Sequence, residues 1–253
     1  MMKRTLPFLL SLSLFMISCG SSEMTGQSEP MRILYVTGGG YHDYEAQEEL
    51  LSREIGERLS VEWTTEFEAG SDNTVKLSRF EDPNWHEGFD AVIYNMCFAP
   101  VDDNEYIEGI TSAHHETGLG AIFLHCTMHT FRDAETEEWD RFIGLDTYHH
   151  ERQQREFEII PMDTEHPVMD GFPSDGWVSP QDELYIIRDT YENLTPLSYA
   201  YGPETESDHI VMWTNTYGNA RVAGTTAGHN DEVIADPVYL DFVVNSLYWV
   251  TGQ

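Results

Sequence analysis

Residues 32–59 read RILYVTGGGYHDYEAQEELLSREIGERL, and this stretch decides the fold class. Arg32-Ile33-Leu34-Tyr35-Val36-Thr37 is a short apolar run closed by Gly38-Gly39-Gly40. The period then changes, and Leu50, Leu51, Ile55 and Leu59 recur on one face of a helix expected from Tyr44 to Leu59. Strand, glycine turn and helix in that order open an α/β protein. The alternation continues downstream: Val61 to Thr65 predicts a second strand, Phe89 to Met96 a third, Asp103 to Thr117 a helix and Gly120 to His125 a fourth strand. Runs that are apolar on both faces and separated by helices imply a parallel sheet covered on two sides, a three-layer sandwich. From Arg155 the pattern shifts to strand-like segments with few helices, REFEII, ELYII, PLSYAY, HIVMWT and ARVAGTT, which predict additional C-terminal strands. Pro237 to Val250 then forms a closing helix with Leu240, Val243, Val244, Leu247 and Tyr248 as its apolar stripe.

The 253 residues are 40% hydrophobic and 12% aromatic, enough to build one packed domain, expected over residues 31–253. No Gly/Ser-rich or Pro-rich linker interrupts it. Asp and Glu number 45 against 13 Lys and Arg, a net charge of −32 spread along the chain. Such a surface repels nucleic-acid phosphates and anionic membranes and suits a neutral sugar, a cation or a metal. At the N-terminus, Lys3 and Arg4 precede the apolar stretch Leu6 to Ile17, which is too short for a permanent membrane span and has the layout of a secretory signal. Ser18-Cys19-Gly20 at its end resembles a bacterial lipobox, with Met16 where Leu is usual. The expectation is a signal peptide over residues 1–18, a lipidated tether over 19–30, and an exported chain that meets the membrane through its lipid alone. Two cysteines remain, Cys97 and Cys126, with no metal or redox spacing. Each follows a buried-strand pattern, so they are expected near each other at one edge of the sheet, as free thiols.

In a wound α/β sheet, ligands bind beyond the carboxyl ends of the strands. Those positions here are rich in histidine. His42 follows the first strand, His125-Cys126-Thr127-Met128-His129 follows the fourth, and His149-His150 comes after a helical turn at Trp139 to Ile143. Asp182-Glu183 opens the ELYII segment, and Gly228-His229-Asn230 follows ARVAGTT.

These segments carry a family resemblance. VTGGGYHDYEAQ, FDAVIYNM, GAIFLHCTMHTFR, Trp139-x-x-Phe142 with His149-His150, Glu165-His166-Pro167-Val168, DELY and TTAGHN, in this order over residues 31–252, resemble the trehalose-utilisation ThuA-like family. The resemblance implies a flavodoxin-like relative of the class I glutamine amidotransferases, with a role in the metabolism of disaccharides or their 3-keto derivatives.

The residues admit three chemistries. In the first, His42, His149, His150 and His229 surround a sugar-sized pocket and hold a divalent metal such as zinc, or else the histidines act without a metal. His125 with Glu183 or Asp182 then supplies general acid and base, and Gly39, Gly40, Tyr41, His129 and Tyr185 contact the sugar. A carboxylate next to Asp182 is expected to feel a like charge, which raises the pKa of one of the pair. The structural alternative is that Asp182 and Glu183 only cap or orient their loop. In the second chemistry Cys126 is a nucleophile, with His229-Asn230-Asp231 as its downstream partner. However, Leu124 and Met128 stand where the strained turn of such enzymes carries glycine. In the third, the chain is a non-catalytic sugar-binding lipoprotein whose Trp85, Trp139, Trp177 and Trp213 stack on a pyranose. Gly38 to Gly40 are not followed by the lysine of a phosphate loop, and the dinucleotide-binding spacing is missing.

Overall fold

A computed structural model describes residues 29–253. The expected signal peptide, and all of the expected tether except its last two residues, lie outside the described residues. Eleven strands are described: β1 (Met31–Gly39), β2 (Val61–Glu68), β3 (Ala91–Cys97), β4 (Gly120–Leu124), β5 (Leu145–His150), β6 (Arg155–Pro161), β7 (Trp177–Asp182), β8 (Tyr185–Thr190), β9 (Thr195–Gly202), β10 (Ser207–Tyr217) and β11 (Ala220–Thr225). Five helices accompany them: α1 (Tyr44–Arg58), α2 (Asn104–Thr117), α3 (Glu138–Ile143), α4 (Asp231–Ile234) and α5 (Pro237–Thr251). The main sheet has nine strands in the order β2-β1-β3-β4-β11-β10-β9-β6-β7, and β5 pairs with β8 in a separate two-stranded ribbon. From β2 to β11 every pairing is parallel, which is the flavodoxin-like order with β11 as its fifth strand. From β11 to β7 every pairing is antiparallel. The mostly parallel core with added C-terminal strands matches the expected class, while β5 and β7 are additions to the expected elements.

Alternation along the parallel strands builds two cores. Ile33 and Tyr35 face one side with Leu51 and Ile55 of α1 and Leu240, Val243 and Leu247 of α5. Leu34 and Val36 face the other with Ile107 and Ile110 of α2 and Trp139 and Phe142 of α3. Each fully buried aliphatic side chain contributes roughly 1.5–3 kcal/mol through removal from water. The three long helices start at side-chain caps: Asp43 accepts from the Ala46 N–H, Asp103 from Tyr106 and Asp236 from Val238, just ahead of Pro237. No helix among the described residues is long and apolar enough to cross a membrane. Because β1, β3, β4 and β11 lie side by side and parallel, the residues after them share one edge of the sheet.

Candidate functional site

Chain reversal after β4 places the first functional side chain. His125 follows Leu124 directly and takes φ +41, a left-handed backbone that costs a non-glycine residue about 1–3 kcal/mol, before a 3-10 turn over His125–His129. Its Nδ1 lies 2.7 Å from the Thr226 carbonyl just beyond β11. A carbonyl only accepts, so Nδ1 carries a proton and Nε2 is turned toward His229 and Glu183. His42, beyond β1, is fixed the same way, its Nδ1 donating to the His229 carbonyl at 3.3 Å. His229, beyond β11, is held by its own backbone N–H, which donates to Asp182 Oδ1 at 3.0 Å. The His229 Nε2 accepts from the Gln154 amide at 2.7 Å, and its Nδ1 lies 3.3 Å from His125 Nε2.

Glu183, between β7 and β8, is the point on which the imidazoles converge. Its Oε2 lies 3.1 Å from His229 Nδ1 and 3.5 Å from both His125 Nε2 and His150 Nε2. Tyr185 stacks on His129 with ring centroids 4.4 Å apart and planes 8° from parallel, and its hydroxyl lies 3.5 Å from His125 Nε2. Around these groups is a cavity of about 330 Å³, closed further by Tyr41, Cys126 and Arg132. Burial, reinforced by the neighbouring His125 and His229, pushes His42 down to about 3. Burial, with His125 and Arg132 nearby, does the same to His129, also to about 3. Burial alone raises the Glu183 carboxyl, but hydrogen bonds and charge from His125 and His229 outweigh it and hold the group well below the usual carboxylate range.

The cavity wall therefore gathers His42, His129, His150, His229, Glu183, Tyr41 and Tyr185 from the expected set, and His125 lies buried behind it against Glu183. Several expectations are corrected. His149 is exposed on β5 and does not line the cavity, because its neighbour His150 takes the inward-facing position of the strand. Asp182 is fully buried and structural. It accepts from the Glu183 and His229 backbone N–H groups through Oδ1 and from the Gly228 N–H and the Ser179 hydroxyl through Oδ2. The expected rise of a carboxyl pKa through Asp182 is reversed at Glu183, where imidazoles dominate. Gly39 and Gly40 do not line the cavity; at φ +97, a Cβ on Gly39 would stand 2.5 Å from the Cys97 carbonyl oxygen, so close strand packing explains the glycine. Cys126 is joined to Cys97 in a disulfide, so the free-thiol expectation is overturned and the nucleophile reading has no thiol to act with. The position after β4 that carries the strained backbone belongs to His125 instead. Gln154 and Arg132 are site residues the sequence reading missed. Arg132 ends the GAIFLHCTMHTFR segment, a signal that was available, whereas nothing in the local sequence marks Gln154.

A metal has a natural set here, with one ring nitrogen each from His42, His125 and His229 within 4.8 Å of one another. His125 thus replaces the expected His149 and His150, and His150 turns to Glu183.

Comparison with known proteins follows from this geometry. A profile of the family described as ThuA, trehalose utilisation, matches residues 32–250. No curated protein matches the chain in sequence. A solved ThuA-like protein from Parabacteroides merdae superposes with a TM-score of 0.67 at 19% identity, covering 88% of this chain and 90% of that one. One from Bacteroides uniformis gives 0.68 at 16% identity, covering 91% and 95%. A β-galactosidase from Rahnella gives 0.56 at 12% identity over 86% of this chain and 31% of its own. At these identities the structural likenesses speak for the fold alone.

Proposed function

The chain belongs to the ThuA family of trehalose utilisation, and from that premise we propose that its histidine-rich cleft is the active centre of an enzyme acting on a disaccharide or a 3-keto-glycoside. The observation that carries this reading is the convergence of three imidazoles on one oxygen of Glu183 inside a cavity of about 330 Å³. A pure binder has no need of such a set; a proton-transfer site does. Glu183, kept ionised by its neighbours, acts through the imidazole beside it: His150, 3.5 Å away in the cavity wall, takes a proton from a sugar hydroxyl or from the carbon beside a keto group, and the carboxylate stabilises the imidazolium that forms. Protonated His150 then returns the proton to the oxygen on which charge develops, while buried His125 positions Glu183 from behind the cavity wall. Tyr185, flat against His129, gives the cavity an aromatic wall suited to a pyranose face. The cavity is of the size that receives one sugar ring, and the strong negative charge of the protein favours a neutral ligand.

We also propose that the chain is exported and held at the cell envelope by a lipid on Cys19. The Cys97–Cys126 disulfide supports that reading, because such bonds persist in oxidising compartments. Replacing Cys19 with Ala is expected to release the protein from the membrane fraction or leave its precursor unprocessed; unchanged fractionation and an unprocessed wild-type N-terminus overturn the idea.

The catalytic reading is tested by assaying trehalose, other glucosides and their 3-keto forms with the wild type, Glu183→Gln and His125→Ala. Loss of a general acid or base lowers turnover by roughly 10²–10⁴-fold. Full turnover by both variants dismisses these roles, and sugar binding by a wild type that turns over none of these substrates makes the protein a binder.

A further inference from the structure

We propose that His42, His125 and His229 form the binding site of one first-row divalent cation of the zinc type, with Glu183 beside its open position. The inference deepens the reading of the cleft as an active centre and can fail separately from it.

The three rings meet edge to face, with centroids 4.9 Å apart for His42 and His125, 4.7 Å for His42 and His229 and 5.3 Å for His125 and His229. The interplanar angles are 89°, 73° and 77°. Among these rings, one nitrogen of each lies within 4.8 Å of the others. His125 and His42 each donate from Nδ1, to the Thr226 and His229 carbonyls, which leaves Nε2 of each as the nitrogen available to a cation. Carbonyl partners of this kind fix tautomer and ring orientation in metal sites. Around His125 Nε2 stand His229 Nδ1 at 3.3 Å and Glu183 Oε2 and Tyr185 Oη at 3.5 Å, the groups that would flank a bound cation.

His229 needs one adjustment. Its Nε2 now accepts from the Gln154 amide, so its proton sits on Nδ1. Half a turn of that amide brings the Gln154 oxygen to Nε2, and the imidazole proton moves there and leaves Nδ1 free for the cation. Gln154 is therefore a positioning residue. Three imidazoles with an open fourth position are the donor set of catalytic zinc sites. Imidazole nitrogen selects zinc, cobalt or nickel over calcium and magnesium. The thiolates that would make a closed structural site are tied up in the Cys97–Cys126 disulfide. The open position faces Glu183, where the cation would polarise a sugar or water oxygen within reach of the base.

The test uses the full chain, stripped with a chelator and titrated with zinc chloride by calorimetry, with elemental analysis for stoichiometry. One equivalent is expected in the wild type and in His149→Ala, and loss of saturable binding in His42→Ala and His229→Ala. His125→Asn, which tolerates the left-handed turn, loses binding as well while keeping the native near-ultraviolet dichroism. Cobalt is expected to give the visible absorption of a tetrahedral nitrogen-oxygen site in the wild type and not in these variants. Absence of a saturable site, or equal binding in all variants, overturns the inference. Sugar turnover by a protein with no saturable zinc site leaves the acid-base reading standing and removes this one; saturable zinc with no turnover of any glycoside does the reverse.

Discussion

Replacing Asp182 with Ala removes a side chain that has no exposed surface and no place in the cavity wall, yet we expect it to dismantle the site. Its carboxylate accepts from the backbone N–H groups of Glu183 at 2.8 Å and of Gly228 and His229 at 3.0 Å, with the Ser179 hydroxyl at 3.3 Å. Alanine leaves three buried backbone donors without an acceptor, each costing about 1–3 kcal/mol. Water entering the vacated space offsets part of this, which puts the loss near the lower end, about 3 kcal/mol. For a domain of this size each kcal/mol shifts the midpoint by roughly 2–4 °C, so the thermal transition should fall by roughly 6–12 °C. Asp182→Asn, which keeps one carbonyl oxygen, should fall by about half as much. Glu183→Gln provides the contrast: its side chain touches imidazoles rather than the backbone scaffold, so turnover should fall by roughly 10²–10⁴-fold while the loop anchored by Asp182 keeps its native near-ultraviolet signal. The assay is thermal unfolding followed by near-ultraviolet dichroism, paired with turnover of the three variants. A midpoint for Asp182→Ala within 2 °C of wild type would refute the anchoring role and return Asp182 to the list of chemical groups.

Two further outcomes follow from buried groups elsewhere. His114 is fully buried, with Nδ1 at 2.6 Å from the Leu119 carbonyl and Nε2 at 2.8 Å from the Tyr94 hydroxyl, and burial pushes its pKa from 6.5 to about 3. The unfolded chain therefore takes up a proton at and below pH 6.5 that the folded chain refuses until about pH 3. Stability is full above that window and falls as the pH drops through it, by about 1.4 kcal/mol per pH unit for each such histidine; urea unfolding between pH 7 and 5 should show this slope, reduced by one proton in His114→Gln, and an identical slope in the variant contradicts the assignment. The disulfide closes a separation of 29 residues, which corresponds to roughly 3–4 kcal/mol of restricted unfolded-state freedom; the Cys97→Ser, Cys126→Ser double variant should lose that much in chemical denaturation, and unchanged stability would argue that the bond does not form.

The parallel half of the fold was legible because its strands are apolar on both faces and separated by helices with clear periods. The two missed strands lack that signature. β7 reads WVSPQD, with Pro180 and Asp182 inside it, and lies at the sheet's edge, where a missing donor is tolerated. β5 reads LDTYHH and pairs only with β8. Histidines placed after strands could be read as one edge of the molecule, but which of two neighbours turns inward depends on strand register. That is why His149 and His150 were not separable, and why Asp182 and Glu183 looked alike. The disulfide illustrates the same limit: Cys97 ends β3 and Cys126 follows β4 by two residues, so their proximity follows from strand pairing, and the bond itself from a register that no local pattern reports. The charge state of Glu183 is set by side chains from residues 125 and 229, far from it along the chain.

That dispersal has a consequence for the life of the molecule. His42 and His229 touch across 187 positions and His125 and His229 across 104, with Glu183 arriving from the antiparallel half. Contacts of such long range form late in folding, after the local helices and the first strand pairs. A chain still emerging from the ribosome carries every acid and base described above and yet has no centre. The proposed centre is assembled only when β11 has paired with β4 and brought His229 to His42 and His125.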